Sequence, residues 1–202
     1  MAIQISIIVL ALIIVGWAVL YMRAQKPATS AQQLIYQHRY ADAAAVEPQD
    51  SAAWLHRGEA LKLMGRFDDA IEAYKRSDDP AAREGIALSL AHLGRDLDEA
   101  QRLMEWMIAN HPQIQEFQAL GLAYILLRKG DREAALRLYE DNLVLLETRF
   151  RDDYTDPDPL LAETLYLFSA LAEADGEEAR ADSLRRQAAN WGWNDIRYHS
   201  GP

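Results

Sequence analysis

From Asp50 to Pro80 the chain reads DSAAWLHRGEALKLMGRFDDAIEAYKRSDDP, two apolar stripes of helical period parted by a glycine. Trp54, Gly58 and Leu61 fall on one face of a first helix, and Phe67, Ala70, Tyr74 and Ser77 on one face of a second. Gly65 lies between them, where a positive φ closes the first helix. Small Gly58 and Ala70 let the two backbones approach, while Trp54 and Tyr74 fill the space on either side. The unit is a helical hairpin whose apolar face is larger than one hairpin can cover, so it has to pack against further copies.

Copies follow. Phe117, Leu120, Gly121 and Tyr124 repeat the first-helix pattern with its spacing intact, and Ala135 and Tyr139 repeat the second-helix pair after an insertion around Lys129 and Gly130. A weaker copy lies between, through Ile86, Ala87, Leu90 and Gly94, then Ala100, Met104 and Pro112. A fourth runs through Leu165, Phe168, Ser169, Ala172, Gly176, Ala181 and Ala188, with Arg185 where an aromatic is expected. The unit resembles the tetratricopeptide (TPR) repeat of roughly 34 residues, with its W-x2-L-G-x2-Y first helix and A-x3-F second helix. Trp54, Gly58, Ala70 and Tyr74 stand at matching positions, whereas Arg57 and Leu61 replace the family's Leu and Tyr. The resemblance implies an all-α solenoid of helix-turn-helix units over residues 31–190. Residues Ala31 to Glu47, ended by Pro48, form an abbreviated first repeat that covers the exposed end of the next.

Ahead of the repeats, Ile3 to Met22 is an uncharged run, IQISIIVLALIIVGWAVLYM, long enough to cross a hydrocarbon core of roughly 30 Å as a helix. Trp17 and Tyr21 come near its end, and Arg23 and Lys26 follow. A cleaved signal peptide puts basic residues before a shorter apolar core, the reverse of this order, so residues 1–24 read as an uncleaved single-pass anchor in the lipid bilayer. Residues 25–30 are a short linker, in which Pro27 disfavours helix at Lys26 and Thr29 or Ser30 caps the next helix. Basic residues are retained on the cytoplasmic side. Arg23, Lys26 and Arg39 therefore favour a cytoplasmic repeat domain on a membrane such as the bacterial inner membrane, with the periplasm as the alternative.

In TPR proteins the first helices of successive repeats line a concave groove. The resemblance carries that role onto Leu55, Glu59 and Lys62, then Glu84, Leu88 and His92, then Gln118, Leu122 and Ile125, then Tyr166. Leu55 and Glu59 occupy two positions where a family subset holds carboxylates with Lys and Asn, so no carboxylate clamp is expected. An apolar groove with scattered polar groups suits an amphipathic helix or an extended peptide. Leu88, Leu122 and Ile125 serve equally as packing between helices, because periodicity cannot separate adjacent faces of one helix. In the aromatic tail, residues 191–202, Trp191, Trp193 and Tyr198 either fold back as a cap or stand free as partner anchors.

The charge of -10 argues against nucleic-acid binding, which needs a basic surface. The absence of cysteine excludes thiolate metal sites and cysteine nucleophiles. The five histidines show no helical pairing, and no phosphate loop or serine elbow occurs, so no catalytic constellation, cofactor or small-molecule substrate is expected. Arg151 to Pro159, RDDYTDPDP, lacks the ligand spacing of an EF-hand loop and reads as a solvated turn rather than a cation site. The expected function is binding: a membrane-anchored scaffold, assembly factor or chaperone-like adaptor for a membrane or envelope complex, with a membrane-associated protein as partner. The alternatives are a permanent accessory subunit of a larger membrane complex, or a periplasm-facing assembly factor resembling the TPR proteins of cytochrome c maturation.

Overall fold

A computed structural model describes residues 30–111, 115–152, 159–190 and 193. The chain divides into two units, Met1–Ser30 and Ala31–Pro202. The uncharged run 3–22, and with it the expected anchor, lies outside the described residues. Among the described residues no helix is long and apolar enough to cross a membrane.

The second unit is all-α among the described residues. Its helices are α1 (Ala31–Tyr36), α2 (Tyr40–Ala45), α3 (Ser51–Leu63), α4 (Phe67–Tyr74), α5 (Ala81–Leu93), α6 (Leu97–Asn110), α7 (Gln115–Lys129), α8 (Arg132–Asp152), α9 (Pro159–Ala174) and α10 (Glu178–Asn190). They pair in order into hairpins, and from the short α1–α2 pair as far as α7–α8 each hairpin packs on its predecessor. The arrangement is an α-solenoid of stacked helical hairpins.

The hairpins share one stop signal. Gly65, Gly94, Gly130 and Gly176 follow the first helices of the four full hairpins, all at positive φ. At Gly65 the amide donates to Lys62 O and the next amide, of Arg66, to Leu61 O, and the same pair of bonds recurs at the other three. A residue without Cβ takes that backbone conformation at no steric cost, so the chain reverses there and starts a second helix. Acidic residues then fill the first turn, Asp68 and Asp69 in α4 and Asp98 and Glu99 in α6, where the helix dipole favours them.

Packing inside the stack turns on Tyr74. Its ring is almost fully buried and lies between Gly58 of α3 and Gly85 of α5. A Cβ built on Gly58 would stand 2.5 Å from ring carbons of Tyr74, and one on Gly85 2.3 Å from its Cζ. Two glycines on successive first helices thus make the slot that one aromatic ring fills. Trp54 is only partly buried, with the Arg76 guanidinium 4.6 Å above its ring, so it covers the hairpin's flank rather than matching Tyr74 in the core.

The fourth hairpin breaks the order. Rather than only extending the stack, α9 lies against the first helices of all three preceding full hairpins: Glu163 reaches Lys62 on α3 and His92 on α5, and Tyr166 meets Tyr124 on α7. Ala162 and Leu165 belong to the core around α1–α4, whereas Leu167, Phe168 and Leu171 belong to the core around α5–α8. One helix therefore ties the two cores together.

Candidate functional site

The face shared by α3, α5 and α7 carries the groove residues expected from the sequence, and α9 covers it. At its centre the Lys62 ammonium and the Glu163 carboxylate form an ion pair, each side chain less than a tenth exposed. The other carboxylate oxygen of Glu163 accepts from His92 Nε2 at 3.4 Å, and Nδ1 of the same ring accepts from the Tyr124 hydroxyl at 3.2 Å. A carboxylate is acceptor-only, which places the imidazole proton on Nε2.

Aromatic rings enclose that imidazole. Phe67 stacks on it at 4.7 Å and 10°, Tyr166 stands 5.9 Å away and Trp193 5.7 Å, with Trp193 stacked in turn on Tyr166 at 5.3 Å. Trp193 is 2% exposed, and its amide donates to Ala188 O at the end of α10. It is therefore neither a free anchor nor a cap on the open end of the solenoid. It closes the inner face, with its indole 5.7 Å from the His92 ring. Trp191 and Tyr198 lie outside the described residues.

Burial and charge set the protonation states. Burial presses His92 below the ordinary histidine value, against the opposing pull of Glu163. Burial would raise Glu163, but Lys62 and His92 more than offset it and hold the carboxyl below its usual range. Lys62 stays above its ordinary value although burial opposes this, because Glu163 stabilises the ammonium. Burial raises the Glu84 carboxyl, with Lys62 acting against it. At neutral pH the cluster holds an ammonium, a carboxylate and a neutral imidazole.

The expected groove residues divide accordingly. Lys62, Glu84, His92 and Tyr166 come together around Glu163. Gln118, fully buried beside Glu84, makes no hydrogen bond of good geometry among the described residues. Leu55, Leu88 and Ile125 are buried in the apolar cores, Leu122 packs against one of them, and Glu59 pairs with His56 at 2.9 Å. In this structure the face is closed, so these side chains do not form an open groove.

Glu163 itself is absent from the residues selected on the sequence. The available signal was a carboxylate inside the apolar run PLLAETLYLFSALA, where burial demands a partner. Lys, Glu, His and Tyr together could in principle move protons, yet the His92 side chain has no exposed surface from which a substrate could reach it. Beside the cluster, Tyr124, Tyr166, Arg128 and Glu173 border an open crease of about 380 Å³ between α7 and α9. On the outer side, a trough of about 580 Å³ between α4 and α6 has Ile71, Leu90 and Leu103 on its floor. Among the described residues no group of three or more His, Cys, Asp or Glu side chains could hold a metal ion. Residues 153–158, within the acidic stretch read as a solvated turn, lie outside them.

No protein-family model matches the chain, and no curated protein matches it. Among solved structures, the chain is similar to the nearly identical TPR-like repeats of a candidate kinesin light chain from Podosopora anserina, at 15% identity and a TM-score of 0.47, over 80% of this chain and 90% of that one. A point variant of that same protein gives 14% identity and a TM-score of 0.47, over 85% of this chain and 93% of the other.

Proposed function

We propose that this chain is a membrane-tethered protein–protein interaction scaffold that works by binding rather than catalysis. In this reading residues 3–22 hold it in the bilayer, and the repeats, on the cytoplasmic side, receive a helix or peptide from a membrane-associated protein, as an assembly factor or chaperone-like adaptor does.

The observation that carries the reading is the chemistry of the face shared by α3, α5 and α7. Stacking hairpins needs only apolar contacts, yet this face presents Lys62, Glu84, His92 and Gln118. Buried ions add little net stability over well-packed apolar groups of similar volume. A polar lining on the inner side of a repeat stack is better suited to specifying what binds there.

Cross-linking in intact membranes, followed by identification of the captured chain, tests the binding role. The expected result is one or a few membrane-associated proteins, captured less well by the full chain when Lys62→Met is introduced together with Glu163→Leu, so that no buried ion is left stranded. Capture of none, or of the same set regardless of those substitutions, overturns it. Protease access to the repeats in sealed vesicles of known sidedness tests the orientation. Cleavage from the periplasmic side would move the site to that compartment without changing its chemistry.

A further inference from the structure

The inner face is occupied by α9, and the way α9 is held specifies what else could fit. Lys62 Nζ and His92 Nε2 both donate to Glu163. Without that carboxylate, Lys62 and His92 would each lose a buried acceptor at this face, which an incoming acceptor would restore. Three residues further along α9, one helical turn, Tyr166 lays its ring beside His92 and Tyr124. The attachment of α9 also differs from that of earlier hairpins: it packs mainly on α10 and α7, and less on α8 than α5 does on α4 or α7 on α6. The fourth hairpin joins α8 through the segment 153–158, which contains Pro157.

We propose that the α9–α10 hairpin, closed by Trp193, is a built-in occupant of this face, and that the partner displacing it is an amphipathic helix bearing a carboxylate with an aromatic side chain three residues later. The proposal rests on the interaction reading above and adds the partner's chemistry. The incoming carboxylate takes the place of Glu163 between Lys62 and His92, and the aromatic ring takes the place of Tyr166. Apolar side chains at helical spacing replace Leu165, Leu167 and Phe168 against the two cores. A helix with Lys or Arg at the carboxylate position is rejected, because it would bury a cation against two donors.

The chain has no cysteine, so one introduced thiol reports on α9 alone. Ala162 is fully buried on α9. In the full chain in detergent, the Ala162→Cys thiol is expected to react slowly with a maleimide, and roughly ten-fold or more faster when Glu163→Gln is added, with helix content retained. A fluorescent peptide of residues 159–174 is expected to bind the Ala162→Cys/Glu163→Gln chain roughly ten-fold tighter than the chain carrying Ala162→Cys alone. The same peptide carrying E163Q should lose that gain. Binding that ignores the peptide's glutamate overturns the proposal, as does unchanged labelling. A dimer appearing on addition of Glu163→Gln also overturns it, since the occupant would then be a second copy.

If the Glu163→Gln chain does not fold, hydrogen exchange on the unmodified chain decides. Amides of α9 and α10 should exchange as a unit ahead of those of α3 to α7, and exchange in step with them overturns the proposal. Partner capture at membranes by a chain whose α9–α10 exchanges with the core would overturn the occupant and leave the scaffold standing. Glutamate-dependent peptide binding without any captured protein would do the reverse.

Discussion

Lys62 and Glu163 stand 101 positions apart in the sequence and meet inside the protein, where they form a buried ion pair. The pair joins the first full hairpin to the last. His92 shares its carboxylate from a third element, so α3, α5 and α9 converge on one group.

Removing one member of this pair strands the other in a low-dielectric interior. Lys62→Met alone is expected to cost about 3–5 kcal/mol, whereas the double change Lys62→Met/Glu163→Leu should recover most of the loss. Urea unfolding of the two variants and the parent gives the comparison, and where local opening is cheaper than global unfolding the loss appears first as opening of α9–α10. Equal stabilities for the two variants would mean that the ions are already hydrated.

The Tyr74 slot predicts an ordering among glycines. Gly58→Ala and Gly85→Ala each drive a methyl into an aromatic ring that has no free space, with an expected cost of about 1–3 kcal/mol. At Gly121 the nearest atom is the terminal methyl of Met104, at 2.8 Å, the far end of a flexible side chain. There the gain in helix propensity, up to about 1 kcal/mol, offsets the repacking, and Gly121→Ala should be close to neutral. Thermal unfolding of the three variants tests the order.

Two histidines are expected to titrate on opposite sides of the ordinary value. His56 is raised by its hydrogen bond to Glu59, while His92, faced by Glu163, Tyr124, Lys62 and Arg128, is lowered by burial. For His92 the unfolded chain takes up a proton at higher pH than the folded one. Its contribution is thus present above about pH 6.5 and is lost as pH falls from there through the folded value. His56 has the opposite sign: its contribution is full below about pH 6.5 and fades as pH rises through its raised folded value. NMR titration of the imidazole C–H signals separates the two, and a His92 signal moving at or above the ordinary value would contradict the enclosed geometry.

Acid should weaken the α9 contact again at lower pH. Glu163 is held below its usual range, so its support is present above about pH 4.3 and is lost as pH falls through the folded value. Glu84, raised by burial, works in the other direction. The expected net result is faster labelling of the Ala162→Cys thiol after brief exposure to pH 4 than after pH 7, read at a common pH before reclosure. An unchanged rate would place the latch elsewhere.

Much of the hairpin architecture was legible in the sequence because it depends on neighbours. Apolar spacing set the helices and glycine set their ends, and small Gly58 and Ala70 marked where the two helices of a hairpin approach, whereas the seat of Tyr74 between Gly58 and Gly85 came from the structure. The former are relations between residues a few turns apart, and periodicity records them. The resemblance to TPR units assigned Lys62, Glu84, His92 and Gln118 to one face, although neither it nor periodicity could say whether that face meets water, a partner or the chain itself.

Only the tertiary structure decided that. The fourth hairpin returns across the inner side, and Glu163 was passed over in the sequence because a carboxylate in an apolar run gives no clue to a cation a hundred residues away. Trp193 likewise carries no mark of its place over His92. Local sequence fixes which groups share a face, because backbone geometry is periodic; what covers the face depends on where a distant segment finds the best burial and charge pairing, and that is a property of the whole fold.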